Sequence, residues 1–323
     1  MTERRSAAMP APEILGFAVA VVSFQTRDLL ERCLLSVRTA QPLETVVADN
    51  GSTDGSIELV RAKFAEMRLI VDERNRGYGA AANLAIASCA APAILLLNSD
   101  TEIEPGAVPA LGRYLAEHPA AAIVGPRIVN PDGSLQPSTL ANPSAADMLM
   151  GDTGLHLLVR RLPAVRERFL RTWAHDRARA VPWVTGAALA IRRDAFEAVG
   201  GFDERYFMYY EEADLCRRLA HAGYETHFAP VTTVVHARSA STHQQPVAMR
   251  REWLVSYRRY LATHGTRRSG RAQLGLLRAF ALARTQRDRV RLHLERGPER
   301  RRQLSIAVEG WSALLREREL WKL

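Results

Sequence analysis

Residues 17–24 read FAVAVVSF, and this run decides the fold class of the chain. Apolar and β-branched residues that follow one another without alternation are typical of a strand covered on both faces by other elements. Leucine, cysteine and valine residues then recur at helical spacing over residues 28–37. A doubly covered strand followed directly by a helix predicts an α/β protein.

The same strand–helix alternation continues to residue 97. Strands are predicted at 45–48, 69–71 and 94–97, with helices at 56–64 and 80–89 between them. This order builds a parallel sheet with helices on both faces, and such sheets bind ligands beyond the carboxyl ends of their strands. We therefore expect a site among the polar and glycine residues at those ends, which lie in 23–25, 49–54, 72–79 and 98–102.

The rest of the chain divides into a second set of strands and a helical tail. Residues 123–139 predict a strand and a hairpin with a Pro-Asp-Gly turn, and 183–192 and 226–236 predict further strands around a helix at 213–222. The predicted domains are a flexible leader (1–14), a catalytic domain (15–250) with a nucleotide-binding half (15–120) and an acceptor half (121–250), an Arg-rich insertion in the latter (140–180), and a helical basic region (251–323).

Composition indicates a cytosolic globular protein. Hydrophobic residues make up 47% and charged residues 24% of the chain, and neither a signal peptide nor an apolar run of about 20 residues is recognised. Cys33, Cys89 and Cys216 are widely spaced, which favours free thiols over disulfides or a zinc site. The net charge is +9, and residues 265–323 alone hold 15 Lys and Arg against 6 Asp and Glu. The basic character therefore belongs to the tail.

The helices of the tail are amphipathic, and two interpretations of their apolar faces stay open. One face carries Leu274, Leu277, Phe280 and Ala281, and a second carries Leu304, Val308, Trp311, Leu315 and Trp321, with arginines around both. Such helices suit an anionic membrane surface. The same faces would also serve for packing on the catalytic domain or for a homodimer. Nucleic acid is not an expected partner, because no base-reading module accompanies the charge.

Asn98 and Asp100 follow the strand predicted at 94–97. Residues two apart on an extended chain point to the same side, and their oxygens suit Mg²⁺ or Mn²⁺, which also takes oxygens from a diphosphate. The alternative is that Asp100 caps a turn or helix. His236 ends a later apolar strand, and a neutral imidazole can complete a metal site, although a lone histidine is more often structural.

Glu211 and Glu212 follow the aromatic run at 206–210. Carboxylates beside an aromatic surface are partly desolvated, which raises their pKa and makes one of them a candidate general base. The alternative is electrostatic, because acidic residues are also favourable in the first turn of a helix.

Two glycine-bearing loops are candidates for nucleotide binding. Residues 49–55 read DNGSTDG between a strand and a helix, and would contact the base and ribose or simply end in an N-cap. Residues 75–79 read NRGYG and open a helix, which is an anion site. Gly77-x-Gly79-x-x-Ala82 also satisfies the dinucleotide fingerprint, so an NAD(P)-dependent dehydrogenase is a competing interpretation. One observation argues against the dehydrogenase. The fingerprint should directly follow the first strand of its unit, and the residues directly after the first strand here include no glycine.

Taken in order, these segments resemble glycosyltransferase family 2, particularly its rhamnosyltransferase-like branch. The matching runs lie within residues 17–242, with gaps around 140–180, and read VVSFQTRDLLERCLLSV, VVADNGSTDGS, NRGYGAAANLAI, LLLNSDTEIEPGAV, GPRIVNPDGSLQPS, WVTGAALAIRRDAFEAVGGFDERYFMYYEEADLCRRLAHAGYETHFAP and VVHARSAST. The resemblance implies a GT-A fold, a Rossmann-like mixed sheet flanked by helices. It also implies an inverting transferase for cell-wall or surface polysaccharide, with a helical basic extension added here.

The resemblance assigns roles to the candidate residues. Asp49 matches the aspartate that reads the base, with Ser23 beside it, and Arg76 and Gly77 match the stretch under the nucleotide. Asn98-Ser99-Asp100 occupies the DxD position, so that Asp100 and His236 would hold Mg²⁺ or Mn²⁺. Glu212 matches the catalytic base, with Glu211 next to it, and Trp183 lies on the acceptor-side wall. Several positions depart from the family pattern: Asn98 replaces an acid, and Glu212 is longer than the usual aspartate. Phe24-Gln25 replaces Tyr-Asn, and Ala82 replaces Asn, but neither of these two changes removes a charge.

The same resemblance sets the expected partners. The sugar donor is dTDP-L-rhamnose or a UDP-sugar, and the acceptor is a glycan or lipid-linked glycan. The protein is then expected at the inner face of the cell membrane. A catalytically silent nucleotide-sugar-binding protein is a further alternative, against which the joint presence of Asp49, Asp100, Glu212 and His236 argues.

Overall fold

The computed structural model describes residues 16–146, 149, 173–237 and 246–323. The strands are β1 (Phe17–Ser23), β2 (Glu44–Asp49), β3 (Arg68–Val71), β4 (Ala93–Asn98), β5 (Thr101–Ile103), β6 (Ala121–Val129), β7 (Thr139–Leu140), β8 (Arg179–Ala180), β9 (Trp183–Val184), β10 (Ala188–Arg192) and β11 (Glu225–His236). The helices are α1 (Arg27–Ala40), α2 (Ser56–Lys63), α3 (Tyr78–Ala87), α4 (Ala107–Glu117), α5 (Arg193–Ala198), α6 (Glu211–His221), α7 (Pro246–His264), α8 (Arg267–Leu294) and α9 (Pro298–Arg316). A 3₁₀ turn, Arg318–Trp321, follows α9.

One mixed sheet runs through the molecule in the order β3-β2-β1-β4-β10-β6-β11-β5. Strands β3, β2, β1 and β4 are parallel, and β10 lies antiparallel between β4 and β6. Strand β11 is parallel to β6 and antiparallel to β5. The predicted parallel half and the mixed sheet that the resemblance implied are both confirmed. The carboxyl ends of β1, β2 and β4 therefore meet at one edge.

Two apolar layers cover the sheet, as the unbroken hydrophobic run of β1 requires. Along β1, Ala18 and Ala20 face one layer, whereas Phe17, Val19 and Val21 face the other. The first layer packs against α3, α6 and the C-terminal helices, and the second against α1, α2 and α4. Cys33, Cys89 and Cys216 are buried free thiols, as predicted.

The strand predicted over residues 183–192 is interrupted. Its first part, β9, pairs with β7 in a separate two-stranded ribbon, and its second part, β10, joins the main sheet. Gly186 lies in the break, where a Cβ atom would approach a Glu212 carboxylate oxygen to 2.9 Å. The break thus lets the backbone come close to an acidic residue of α6.

The predicted insertion at 140–180 is described only in part, and the leader at 1–14 lies outside the described residues. The described end of this stretch packs in the protein interior, because Trp173 and His175 are buried. The Trp173 indole N–H donates to Thr139 Oγ1 at 2.9 Å, and the ring packs edge-on against Phe228. The end of this stretch therefore belongs to the core, which its irregular sequence pattern did not indicate.

The tail is helical, as predicted, and packs on the catalytic domain. Leu274, Ala281 and Trp311 are at most 6% exposed and share the core layer that contains α6. The prediction that these faces meet a membrane is therefore wrong for the buried residues that it named, and for them the packing alternative is correct. Leu277 and Trp321 are buried in the same layer, whereas Phe280, Leu304, Val308 and Leu315 are partly buried.

Polar contacts fix the tail to α6 and to the loop before it. The Ser256 hydroxyl donates to the carbonyl oxygen of Met208 at 2.7 Å. His264 Nε2 lies 2.7 Å from Asp214 Oδ1, and both side chains are almost fully buried. Helix α7 thus acts as a wall behind the acidic residues that begin α6.

Candidate active site

Ser23 and Asp49 end adjacent parallel strands and are paired in register. Asp49 Oδ1 accepts a hydrogen bond from the Ser52 backbone N–H at 2.7 Å. Its second oxygen, Oδ2, and the Ser23 hydroxyl are buried and have no hydrogen-bond partner among the described residues. Buried polar atoms are almost always hydrogen-bonded, so these two are suited to a ligand that brings donors and acceptors of its own.

Asn50 joins the loop after β2 to the loop before α3. Its Nδ2 donates to Asn75 Oδ1 at 2.9 Å and to the Gly77 carbonyl at 3.1 Å, and its Oδ1 accepts from the Arg76 N–H at 3.2 Å. Gly77 has φ +96°, and a Cβ atom there would collide with the Phe207 backbone. Glycine is therefore required, and these contacts hold the predicted anion loop against the segment before α6.

The glycines of the dinucleotide-like fingerprint have a different role here. The motif follows β3, which is the edge strand of the sheet, and Gly77 and Gly79 admit Phe207 and Phe202 rather than a pyrophosphate-binding turn after β1. The dehydrogenase interpretation is not supported.

The Arg76 side chain is half-exposed and engaged by carboxylates. It contacts Asp72 at 2.5 Å and Glu204 at 3.8 Å. The hydrogen bond from Arg76 lowers the pKa of Asp72. The guanidinium group thus lies at the outer side of the loop, and its contact with a nucleotide stays a prediction.

Asp100 and His236 lie side by side, with 3.2 Å between Oδ1 and Nε2. The antiparallel pairing of β11 with β5, which sets His236 opposite Thr101, brings them together from distant positions in the sequence. Asn98 Oδ1, on the same loop, is buried and has no partner among the described residues. The described part of the chain holds no group of three His, Cys, Asp or Glu side chains arranged so that they could hold a metal ion. A carboxylate, an imidazole and an amide oxygen fit a divalent cation that takes its other ligands from a diphosphate and water.

The two glutamates are presented by a strained turn. Tyr209 and Tyr210 have φ of 71° and 68°, a left-handed conformation that costs about 1–3 kcal/mol for residues other than glycine. Helix α6 begins at the next residue. Glu211 is buried, and its Oε2 has no hydrogen-bond partner among the described residues. Glu212 is partly exposed, and its Oε1 accepts a hydrogen bond from the Gly186 N–H at 2.9 Å.

Burial raises the pKa of both glutamates. The negative charge of Glu212 raises the pKa of Glu211 further, whereas backbone hydrogen bonds, including that from Gly186, oppose the rise at Glu212. The Tyr78 hydroxyl donates to the Gly186 carbonyl at 2.7 Å. Burial, and then the charges of Glu212, Glu211 and Asp100, raise the pKa of Tyr78. The Asn98 N–H donates to the Ala187 carbonyl at 3.0 Å. The adjacent residues Gly186 and Ala187 therefore connect Glu212 and Tyr78 to the loop that bears the candidate cation site.

Comparisons with known proteins agree with this geometry. A family model described as glycosyl transferase family 2 matches residues 18–200, and a second, described as glycosyl transferase family group 2, matches residues 158–290. The chain belongs to glycosyl transferase family 2. The family that the sequence motifs indicated is thereby confirmed.

Relatives within family 2 include proteins that are named for sugar transfer. The chain is 35% identical over 247 residues to the N-acetylglucosaminyl-diphospho-decaprenol L-rhamnosyltransferase of Mycobacterium tuberculosis, covering 71% of this chain and 78% of that protein. It is 30% identical over 210 residues to the pre-mycofactocin glycosyltransferase of the same species, covering 64% and 39%.

Two solved structures share the fold at low sequence identity. The mannosyltransferase PcManGT from Pyrobaculum calidifontis, in complex with GDP-Man and Mn²⁺, matches with a TM-score of 0.56 and 16% identity over 99% of this chain and 88% of that one. GalNAc-T7 with UDP, GalNAc and Mn²⁺ matches with a TM-score of 0.54 and 16% identity over 77% and 48%.

Some residues of this family 2 site differ from expectation or were not predicted. Trp183 is 8% exposed, and its indole N–H donates to the Ala141 carbonyl at 2.7 Å, so it packs in the β7–β9 ribbon and its acceptor contact stays a prediction. Asn50 and Gly186 were missed as organising residues. The only sequence feature that could have indicated the role of Asn50 was its position next to Asp49. For Gly186, the feature was an isolated glycine inside a predicted strand, which often marks a break or a close approach of another group.

Proposed function

We propose that this glycosyltransferase moves L-rhamnose, with inversion, from dTDP-L-rhamnose to a hydroxyl group of a lipid-linked glycan. The rhamnosyltransferase name of the 35% identical relative supports the sugar and the class of acceptor. The observation that carries inverting transfer is the link between Glu212 and the loop that bears Asp100. Gly186 donates to Glu212 at 2.9 Å, and the carbonyl oxygen of the next residue, Ala187, accepts from the Asn98 N–H at 3.0 Å. This link sets a proton acceptor near a site for a departing diphosphate.

In this proposal Glu212 is the general base. Its side chain is partly exposed, and Gly186 binds one carboxylate oxygen, which leaves the other free to face an acceptor hydroxyl. The acceptor oxygen forms a bond to the anomeric carbon from the face opposite the diphosphate, and the bond from that carbon to the diphosphate oxygen breaks. The hydroxyl proton passes to Glu212. Glu211 is too deeply buried to reach an acceptor and is not the base.

Asp100, His236 and Asn98 are the residues that would hold Mg²⁺ or Mn²⁺. The cation supplies positive charge that stabilises the leaving nucleoside diphosphate. Ser23 and Asp49 would bind the base through their unpartnered oxygens. The two sets of residues lie at the ends of neighbouring strands, so one nucleotide diphosphate spans them.

The test is a transfer assay with the full chain and a polyprenyl-diphosphate-linked N-acetylglucosamine acceptor. dTDP-L-rhamnose is compared with dTDP-glucose, UDP-N-acetylglucosamine and GDP-mannose, and NMR of the product gives the anomeric configuration. The expected product carries rhamnose with the inverted configuration and forms only with the first donor. Preferred transfer of another sugar would refute the donor assignment, and retention of configuration would refute the mechanism.

We also propose that the protein docks at an anionic membrane surface through the outward face of α8. The apolar side chains on this face are Leu276, Val290 and Leu294, which are 49%, 60% and 76% exposed. Arg268 and Arg291 are exposed beside them. Apolar residues flanked by arginines are typical of helices that lie in a membrane interface. No helix in the described residues is long and apolar enough to span a membrane.

This docking is tested by sedimentation with phosphatidylglycerol vesicles and, in parallel, phosphatidylcholine vesicles. Replacing Leu276, Val290 and Leu294 together by glutamine is expected to leave the protein in the supernatant, whereas the wild-type chain sediments with the anionic vesicles. Ile306→Gln, at a comparably exposed position on α9, is the control. Equal sedimentation of the triple variant and the wild type would refute the assignment of this face.

A further inference from the structure

A chain of hydrogen bonds leads from the hairpin after β6 to the imidazole of His236. The hairpin has the sequence NPDGSLQ over residues 130–136. Its last residue, Gln136, is 8% exposed, and Gln136 Oε1 lies 2.6 Å from His236 Nδ1. The backbone holds Gln136 in place, because its N–H donates to the Ile128 carbonyl at 2.9 Å.

The donor and the acceptor of each hydrogen bond can be assigned in turn, starting at the solvent-facing end of this chain of hydrogen bonds. Asp132 Oδ1 accepts from the Ser134 hydroxyl at 2.6 Å, since a carboxylate can only accept. The Ser134 hydrogen is thereby used, so Ser134 Oγ must accept from Asn130, and Asn130 Nδ2 lies 2.9 Å away. Hydrogen bonds from Ser134 also lower the pKa of Asp132, which keeps this first acceptor ionised.

The same logic continues inward. With its Nδ2 directed at Ser134, Asn130 presents Oδ1 to Gln136, whose Nε2 donates at 2.8 Å. Gln136 Nε2 is also 3.4 Å from the His236 carbonyl oxygen, another atom that can only accept. The Gln136 amide therefore cannot turn over, and Oε1 is the atom that faces the imidazole. An acceptor at 2.6 Å requires that His236 Nδ1 carries the hydrogen.

We infer that Gln136 is a positioning residue that fixes the tautomer of His236, so that Nε2 carries the lone pair directed at Asp100. Nε2 and Asp100 Oδ1 are 3.2 Å apart, and both are then electron-pair donors toward the same point. A cation held between them would satisfy both. A hydrogen bond to the second nitrogen of a metal-binding histidine fixes its ring and strengthens it as a ligand.

This inference gives the hairpin a purpose beyond its turn. Asp132, Ser134 and Asn130 lie near the surface and would look like ordinary turn residues, yet they set the amide of a buried glutamine. The inference rests on the proposed cation site, but the tautomer is a property of the protein alone. It is therefore measured without metal and without substrate.

The experiment uses the full chain labelled with ¹⁵N at histidine, and long-range ¹H–¹⁵N correlation spectra assign the tautomer of His236. The wild type is expected to show hydrogen on Nδ1. Gln136→Leu removes the acceptor that faces Nδ1 and should lose this tautomer. Gln303→Leu, at an exposed position on α9, is the matched control.

Affinity for Mn²⁺ in the presence of dTDP, followed by electron paramagnetic resonance, is the second measurement. Gln136→Leu is expected to weaken Mn²⁺ binding about 10- to 100-fold, the usual effect of losing such a partner. Hydrogen on Nε2 but not on Nδ1 in the wild type, or the same tautomer in Gln136→Leu, would overturn the inference. If the tautomer behaves as expected but no rhamnose is transferred, the proposed sugar is wrong and the hydrogen-bond chain is retained.

Discussion

Replacing Glu212 by glutamine tests the chemistry of the site most directly. Glutamine has the same size and keeps an oxygen that accepts from the Gly186 N–H, so the 2.9 Å contact between α6 and the β9–β10 break is expected to persist. The substitution removes the charge and the ability to take a proton. It therefore separates the acid–base role of the side chain from its structural role.

The expected size of the effect follows from this separation. Loss of a general base slows catalysis by a factor of about 10² to 10⁴, which corresponds to about 2.7–5.4 kcal/mol of activation free energy. The affinity for the sugar donor should change little, because Glu212 lies on the side of Gly186 rather than among Ser23 and Asp49. We expect kcat to fall while the dissociation constant of the donor is retained.

The dependence on pH gives an independent check. Burial raises the pKa of Glu212, so the wild-type rate should increase with pH as this residue loses its proton, at a pH above that of an ordinary glutamate. In Glu212→Gln this rise should disappear. Steady-state kinetics over a pH series and calorimetry with the donor nucleotide provide both measurements.

Glu211→Gln is the matched control, because it removes the same charge one residue away. It is expected to keep most of the activity and the acid limb of the pH profile. A large loss of activity in Glu211→Gln together with near wild-type activity in Glu212→Gln would show that Glu211, and not Glu212, is the base. Full activity of both variants would refute general base catalysis by α6.

Four further changes have defined outcomes. Asp49→Ala should weaken donor binding by about 1.5–3 kcal/mol in calorimetry, through loss of a charged hydrogen bond, and unchanged affinity would remove it from the site. Asp100→Ala should abolish both Mn²⁺ binding and turnover while the circular dichroism spectrum is retained, and full activity in EDTA would contradict this. Glu211→Gln should raise the melting temperature at pH 8 but not near pH 4, because a buried carboxyl with a raised pKa destabilises the fold only as pH rises above its unfolded value; equal shifts at both pH values would exclude this cause. His264→Ala removes one of the hydrogen-bond partners of the buried Asp214 and should lower the unfolding free energy by about 1.5–3 kcal/mol in urea titration, and a change below about 1 kcal/mol would show that Arg218 suffices.

The local pattern of the sequence predicted the parallel half of the fold well. A continuous apolar run such as β1 is stable only as a strand that is covered on both faces. The polar residues that follow such strands, including Asp49 and Asp100, lie at the common edge of the sheet as expected. The reason is that strand direction and helix connection fix where carboxyl ends meet. The elements that were missed depend on contacts between distant segments.

The tail illustrates this limit. An amphipathic face with Leu274 and Trp311 is equally suited to lipid and to a protein core, so periodicity alone could not choose between them. The partner that decided the outcome is α7, which contacts both α8 and α9 and is itself fixed to α6 by the contact between His264 and Asp214. Gln136 was missed for a related reason, because only the three-dimensional path from the hairpin to β11 gives it a role.

The wall that α7 builds behind α6 has a consequence for how the molecule is made. A ribosome synthesises Glu211 and Asp214 before their supporting residues, since His264, Leu274 and Trp311 come later in the chain. Until then, the Tyr210 ring that directly precedes α6 lacks Trp253, Tyr257 and Tyr260, the aromatic residues of α7 against which it packs. The nascent protein therefore acquires the support of its acidic helix only after α7 has been translated.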